Sequence, residues 1–228
     1  MLVRIPKAID AATLASLRQG LADAGSAWVD GRATAGRQGA AVKHNLQIAE
    51  NSETAQRLGD LVLAAFERHA LFISAALPNH VYPPLFNRYD GGMAFGQHID
   101  NAVRLLPGTA RKLRTDLSLT VFLSDPDRYD GGELLIEDRY GAQSVKLPAG
   151  DAVLYPASSL HRVTPVTRGQ RLASFFWVQS LVADDGQRTV LFDLDQAIQR
   201  LVATGGDAAA VTALTGSYHN LLRMWSHP

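Results

Sequence analysis

Apolar and polar positions change their period twice along this chain. Near the N-terminus Leu14, Leu17 and Leu21 recur at helical spacing behind Asp10, whose carboxylate suits an N-cap; this predicts a helix over 11–24, closed by Gly25. A polar link with Gly31, Gly36 and Gly39 follows, and alternation over 42–48 predicts a strand. Asn51-Ser52-Glu53 reads as a helix start. Leu58, Leu61, Val62, Ala65, Phe66, Phe72 and Ile73 then continue one amphipathic helix to about residue 76, where Pro78 stops it. The proline-rich 77–84 reads as a stiff connector.

From 82 to 182 the pattern shortens to β-like runs separated by Gly, Pro and Asp. Strands are predicted at 85–89, 94–100, 116–123, 132–137, 143–147, 151–155, 161–165 and 171–181. Short strands at this density imply an all-β sandwich or barrel with the earlier helices packed outside it. Tyr-Asp-Gly-Gly occurs at 89–92 and 129–132 in unlike surroundings, so it is turn chemistry used twice rather than a repeat. Beyond Asp184 the period lengthens again. Leu191, Leu194, Ile198 and Leu201 fit one helix, Gly205 and Gly206 break it, and two short helices are expected over 208–214 and 218–225. The chain thus divides into a β-rich domain over 1–182, with its barrel core at 82–182, and a helical segment over 183–228.

Composition narrows the classes. Hydrophobic residues make up 46% and charged residues 19%, ordinary for a chain with a real core. Formal net charge is zero, so bulk electrostatics gives no reason to expect nucleic acid or an anionic membrane as partner. Cysteine is absent, which removes disulfides, thiolate metal sites, iron–sulfur clusters and cysteine nucleophiles. A metal here must be held by His, Asp or Glu, ligands that fit iron, zinc or manganese. No apolar run precedes the first charges, and the stretch 61–77 is interrupted by Glu67, Arg68 and His69. A cytoplasmic protein is the expectation.

The chemistry concentrates around Gln97-His98-Ile99-Asp100. Alternate residues of an extended strand share a face, so His98 and Asp100 can fill adjacent positions around a metal ion. His161 is the choice for a third ligand, because a barrel of short strands returns the chain beside the strand of His98; the alternative is a histidine hydrogen-bonded at a strand end. Arg171 follows ten residues later, with Ala173, Phe175 and Trp177 on the same side of its strand. If that side is inward, a buried guanidinium calls for a small dicarboxylate; if outward, Arg171 is a surface charge.

These residues together carry a resemblance. The run Asp-Gly-Gly-Met-Ala-Phe-Gly-Gln-His98-Ile-Asp100, then Gly131-Gly132-Glu133, Leu160-His161 and Arg171, resembles the Fe(II)- and 2-oxoglutarate-dependent dioxygenases. Within them the chain looks like the prolyl-4-hydroxylase-like branch and its bacterial PKHD-type hydroxylases linked to iron uptake. The likeness covers 82–182, and the 218–225 tail also looks like the C-terminal segment of that subgroup. It implies a double-stranded β-helix with Fe(II) on His98, Asp100 and His161. It further implies 2-oxoglutarate as cosubstrate with Arg171 on its far carboxylate, and Tyr89 matches a tyrosine that assists there. Hydroxylation of a protein residue such as proline, or of a small molecule linked to iron uptake, would consume dioxygen, release succinate and CO2, and draw on L-ascorbate to keep iron reduced. Asp100 argues against the halogenases of the family, which lack that carboxylate. Trp177, where nucleic-acid demethylases carry a second arginine, argues against that branch.

Rival readings remain at this level. A cupin-like sensor of iron or a dicarboxylate would use the same barrel without turnover. A zinc hydrolase would use the same three ligands but lacks an evident general base and leaves Arg171 unexplained. The loop 101–115 carries Arg104, Arg111, Lys112 and Arg114, and is either a solvated loop or a guide for an acidic substrate. Whether the chain forms a homo-oligomer is open.

Overall fold

The computed structural model describes residues 1–138 and 141–228. An edge strand β1 (Val3–Ile5) leads into α1 (Ala11–Ala22), capped as expected by the Asp10 carboxylate, which accepts from the Thr13 N–H at 2.8 Å. After β2 (Trp28–Asp30), the glycine-rich link is not a plain loop: it closes into the short helix α2 (Arg37–Val42). The strand predicted over 42–48 is two strands, β3 (Lys43–His44) and β4 (Leu46–Ile48), and they belong to different sheets. The chain crosses between the sheets at Asn45, whose backbone carbonyl accepts from the Gly31 N–H at 3.0 Å.

The long helix predicted from Asn51 is also two, α3 (Glu53–Phe66) and α4 (Ala70–Ala76). No proline or glycine separates them. The break comes at His69, which turns extended and offers its ring nitrogen to the Phe72 N–H as a cap. Leu77 then takes a left-handed conformation (φ 44°) and the supposed connector begins as a strand, β5 (Pro78–Val81).

The β region holds more strands than its pattern announced. It runs β6 (Leu85–Tyr89), β7 (Ala94–His98), β8 (Val103–Leu105), β9 (Lys112–Arg114) and β10 (Leu117–Phe122). Next come β11 (Tyr129–Gly131), β12 (Leu134–Asp138), β13 (Gly141–Val145) and β14 (Ala152–Pro156). Then follow β15 (Leu160–Val163), β16 (Val166–Gly169) and the ten-residue β17 (Arg171–Ser180). The larger sheet has the order β1-β14-β10-β17-β6-β4-β2, with β5 also on β17; the smaller is β13-β12-β15-β7-β3. These pairings are antiparallel, and the two sheets face each other as a jelly roll, the double-stranded β-helix the resemblance implied.

Alternation assigns the faces. On β10, Leu117, Leu119 and Val121 point outward onto Leu17, Leu58, Val62 and Phe66 of the helices, forming one core layer. Ser118, Thr120 and Phe122 point inward, where Tyr89, Val153, Tyr155, Leu134 and Val163 fill the space between sheets. Fully burying each large apolar side chain contributes roughly 1.5–3 kcal/mol, so the outer layer anchors the larger sheet while the inner face is left free to carry polar groups.

At the C-terminus α5 (Asp185–Ala203) is followed by one continuous helix, α6 (Ala208–Trp225), instead of two short ones. Tyr218, Leu221, Leu222 and Trp225 pack it onto Leu77, Val182 and Leu191, and that contact carries the helix through Gly216.

Candidate active site

His98 ends β7, and His161 lies directly opposite it on β15. Two residues further along β15, Val163 pairs with Phe95, which is three residues back on β7. The additional residue makes a β-bulge at Gly96 and Gln97, and the bulge turns Phe95 and His98 to the same inward face. Their rings stack with centroids 3.5 Å apart. Gly96 suits the position because a Cβ there would stand 2.8 Å from the Cβ of Val42 in α2. Asp100 lies just past the end of β7, with exposed Ile99 between it and His98.

The three side chains predicted as ligands converge: a ligand atom of each of His98, Asp100 and His161 lies within 4.8 Å of the other two. Each histidine has its other nitrogen committed. Nδ1 of His98 is 2.8 Å from the Gly96 carbonyl and Nδ1 of His161 is 3.0 Å from that of Ser159. A carbonyl can only accept, so Nδ1 carries a hydrogen and Nε2 is the nitrogen left to bind a metal. Burial, followed by the neighbouring His161, holds His98 well below the ordinary imidazole range, which favours the neutral ring a metal needs. Asp100 accepts from the Ser118 hydroxyl at 2.6 Å, and that bond fixes its carboxylate.

Arg171 points inward. It is 1% exposed and meets no carboxylate among the described residues; it donates to the Asn87 side-chain oxygen at 3.4 Å, and its Nε has no partner among them. Tyr89 sits directly across from it on β6, and the guanidinium lies 5.3 Å from that ring and 5.4 Å from the ring of Phe122. Burial pushes the Tyr89 hydroxyl up to about 12, so it is a neutral donor at ordinary pH. Gly132 closes the turn beside Arg171: its φ is +67°, and a Cβ would come 3.1 Å from the arginine's Cδ. That contact gives the Gly131-Gly132-Glu133 motif its physical reason.

The donor set fits the groups the resemblance implied. Two imidazoles and one carboxylate suit Fe(II) and leave coordination positions open. A deeply buried arginine with an orphaned N–H and no counter-charge among the described residues suits a carboxylate from outside the chain. Both ends open on one cavity, which Tyr89 and Tyr155 also line.

Several wall residues carried no sequence signal. Ser118 and Tyr155 face the cavity only because β10 and β14 pair in a register that sets them opposite each other. Lys43 looked like an alternating strand residue, yet it is 6% exposed and lies across from Phe95 on the neighbouring strand. The loop 101–115 is a hairpin of β8 and β9, and its arginines divide. Arg114 pairs with Asp116 at 2.6 Å, Arg111 is exposed, and Arg104 turns inward onto the Tyr82 and Trp177 rings at 4.7 and 4.2 Å.

Comparison with known proteins shows the family and the fold. Residues 84–179 match the 2OG-Fe(II) oxygenase superfamily, and residues 185–227 match the PKHD-type hydroxylase C-terminal domain. A PKHD-type hydroxylase of Burkholderia ambifaria is 66% identical over 226 residues, 99% of each chain. One from Paraburkholderia xenovorans is 65% identical over 228 residues, 100% of each. Among solved structures, a Pseudomonas putida prolyl-4-hydroxylase shares the fold with a TM-score of 0.52 at 18% identity, over 78% of this chain and 92% of that one.

Proposed function

The chain belongs to the PKHD-type hydroxylases of the 2OG-Fe(II) oxygenase superfamily, and we propose that His98, Asp100 and His161 hold its iron while Arg171, with Tyr89 beside it, holds the far carboxylate of 2-oxoglutarate. It is an Fe(II)- and 2-oxoglutarate-dependent hydroxylase, and the sensor alternative gives way to that membership. When bound, iron and 2-oxoglutarate supply the activation of dioxygen that places a hydroxyl on a C–H bond, with succinate and CO2 as co-products.

The residues of the chain do the rest. The paired histidines leave Nε2 for the metal because backbone carbonyls hold their Nδ1–H groups. Ser118 keeps the Asp100 carboxylate turned toward them. Arg171 draws the cosubstrate into the barrel and, with the rings of Tyr89 and Phe122, keeps its far end out of water.

The observation that carries this reading is Arg171, buried in the same cavity as the triad and paired with no carboxylate among the described residues. Anaerobic addition of Fe(II) and 2-oxoglutarate should give a weak visible charge-transfer band, followed in air by succinate release. A colourless protein that releases no succinate would refute the assignment.

The substrate we propose is a peptidyl residue such as proline, or a small molecule linked to iron uptake. The name of the Pseudomonas putida neighbour supports the first, and the open, aromatic-walled cavity accommodates either. A gain of one oxygen in mass, screened across candidates of both kinds, decides between them. We propose further that L-ascorbate sustains turnover by returning oxidised iron to Fe(II), and that the protein works in the cytoplasm, where Fe(II) and 2-oxoglutarate are both available. Loss of burst-free turnover without ascorbate, and fractionation of the native protein, test these two points.

A further inference from the structure

The cavity holds more positive charge than its metal and cosubstrate account for. Iron(II) with Asp100, and the 2-oxoglutarate dianion with Arg171, cancel to zero formal charge. Two further cations line the same cavity, Lys43 and Arg104. Arg104 is partly answered: its terminal nitrogen lies 3.3 Å from a Glu50 carboxylate oxygen, outside the lining, and its Nε is buried without a partner. Lys43 is not answered. Its ammonium donates to the Thr34 hydroxyl and the Gln47 side-chain oxygen, both at 3.0 Å and both neutral, and no carboxylate pairs with it among the described residues. Three ammonium hydrogens face two acceptors, so one N–H remains.

Position makes this charge useful. Lys43 and Phe95 are direct cross-strand partners, and the lysine nitrogen lies 5.1 Å from the centre of the Phe95 ring, the ring that stacks on His98. Lys43 therefore stands one side chain away from the metal site, on the smaller sheet. Arg171 stands across the barrel on the larger sheet, in another part of the cavity. Arg104 is held between the rings of Tyr82 and Trp177, which keeps its guanidinium at the wall. A buried ammonium with neutral partners is expensive, and its retention beside a reactive centre points to a charge that arrives with a ligand.

We propose that Lys43, flanked by Arg104, forms a second anion subsite in the active cavity and that the substrate carries a carboxylate which it holds. The proposal rests on the oxygenase reading and names the substrate class for that site: an acid, presented either as a terminal carboxylate or as an acidic side chain. A single spare N–H on Lys43 and an orphaned Nε on Arg104 match two carboxylate oxygens better than the three of a phosphate.

The test is binding to full-length protein by NMR chemical-shift titration, first with Ni(II) and 2-oxoglutarate and then with paired probes. N-acetylglycine against N-acetylglycinamide reports a terminal carboxylate; N-acetyl-aspartic acid α-amide against N-acetyl-asparagine amide reports a side-chain one. At least one acid should bind about tenfold tighter than its amide when 2-oxoglutarate is already bound, and the stronger pair identifies the source. Lys43→Met should erase that preference while 2-oxoglutarate still binds, which shows the barrel intact; Arg104→Met should reduce it, and Arg111→Met on the exposed hairpin should leave it unchanged. Equal affinity for acid and amide in both pairs, or a preference that survives Lys43→Met, overturns the second subsite. Failure of Ni(II) and 2-oxoglutarate to bind in the first step instead overturns the iron and cosubstrate assignment, so the two failures are distinct.

Discussion

His161 faces His98 directly across two antiparallel strands, and their ring centroids are 4.1 Å apart. Protonated imidazoles at that distance would repel, whereas neutral ones with both Nδ1 atoms tied to carbonyls can share one cation. His98→Ala and Asp100→Ala should therefore each lower Fe(II) affinity by more than about 100-fold, beyond the range typical of outer groups. Metal titration under anaerobic conditions, with circular dichroism to verify the fold, measures it. Full affinity in both variants would remove the triad.

Ser118 offers a finer check. Its hydroxyl donates to Asp100 at 2.6 Å, and without it the carboxylate loses its fixed orientation. Ser118→Ala should weaken metal binding by about 10–100-fold with little change in stability. An unaltered titration curve would mean that the metal itself suffices to orient Asp100.

Arg171→Ala should act on the cosubstrate and spare the metal. A charge-assisted bidentate contact is worth roughly 1.5–3 kcal/mol, so the 2-oxoglutarate concentration for half-maximal succinate release should rise by about 10–100-fold. Iron affinity should hold. If the requirement stays where it was, another group binds the far carboxylate.

The pair His98 and Asp100 was legible from strand alternation, whereas His161 and Arg171 were candidates with alternatives open that only the family resemblance joined to it; the face of Arg171 is set by the pairing of β17 with β6. Other features depend on pairing that one sequence does not display. The bulge at Gly96 reverses the parity between Phe95 and His98, so simple alternation would have set those rings on opposite faces. The 42–48 run alternates like one strand, but Asn45 divides it between two sheets, and that division sets Lys43 across from Phe95. His69 broke a helix with no proline or glycine to signal it. The first two turn on strand pairing that outweighs a local pattern, and the third on a local side-chain cap that the helical period does not announce.

Lys43 gives the last prediction, in stability and pH. Burial, then the charge of Arg104, pulls it from its ordinary value down to about 8, against the weaker opposite pull of Asp100 and Glu50. The folded value lies below the unfolded one, so between about pH 8 and about pH 10.4 the unfolded chain binds more protons and stability rises with pH. Below about pH 8 both states are protonated and the folded protein bears the whole burden of a buried ammonium. A shift of this size corresponds to roughly 3 kcal/mol at most. Lys43→Met should thus stabilise the protein at pH 7 by about 1–3 kcal/mol, and the variant should lose much of the wild-type gain between pH 8 and pH 10. Urea unfolding at pH 7 and at pH 9.5 measures both. Equal slopes with pH in the two proteins would show that Lys43 is already compensated within the folded chain. A variant that is more stable yet has lost its preference for an acid would show instead that the charge is kept for binding, at the expense of the fold.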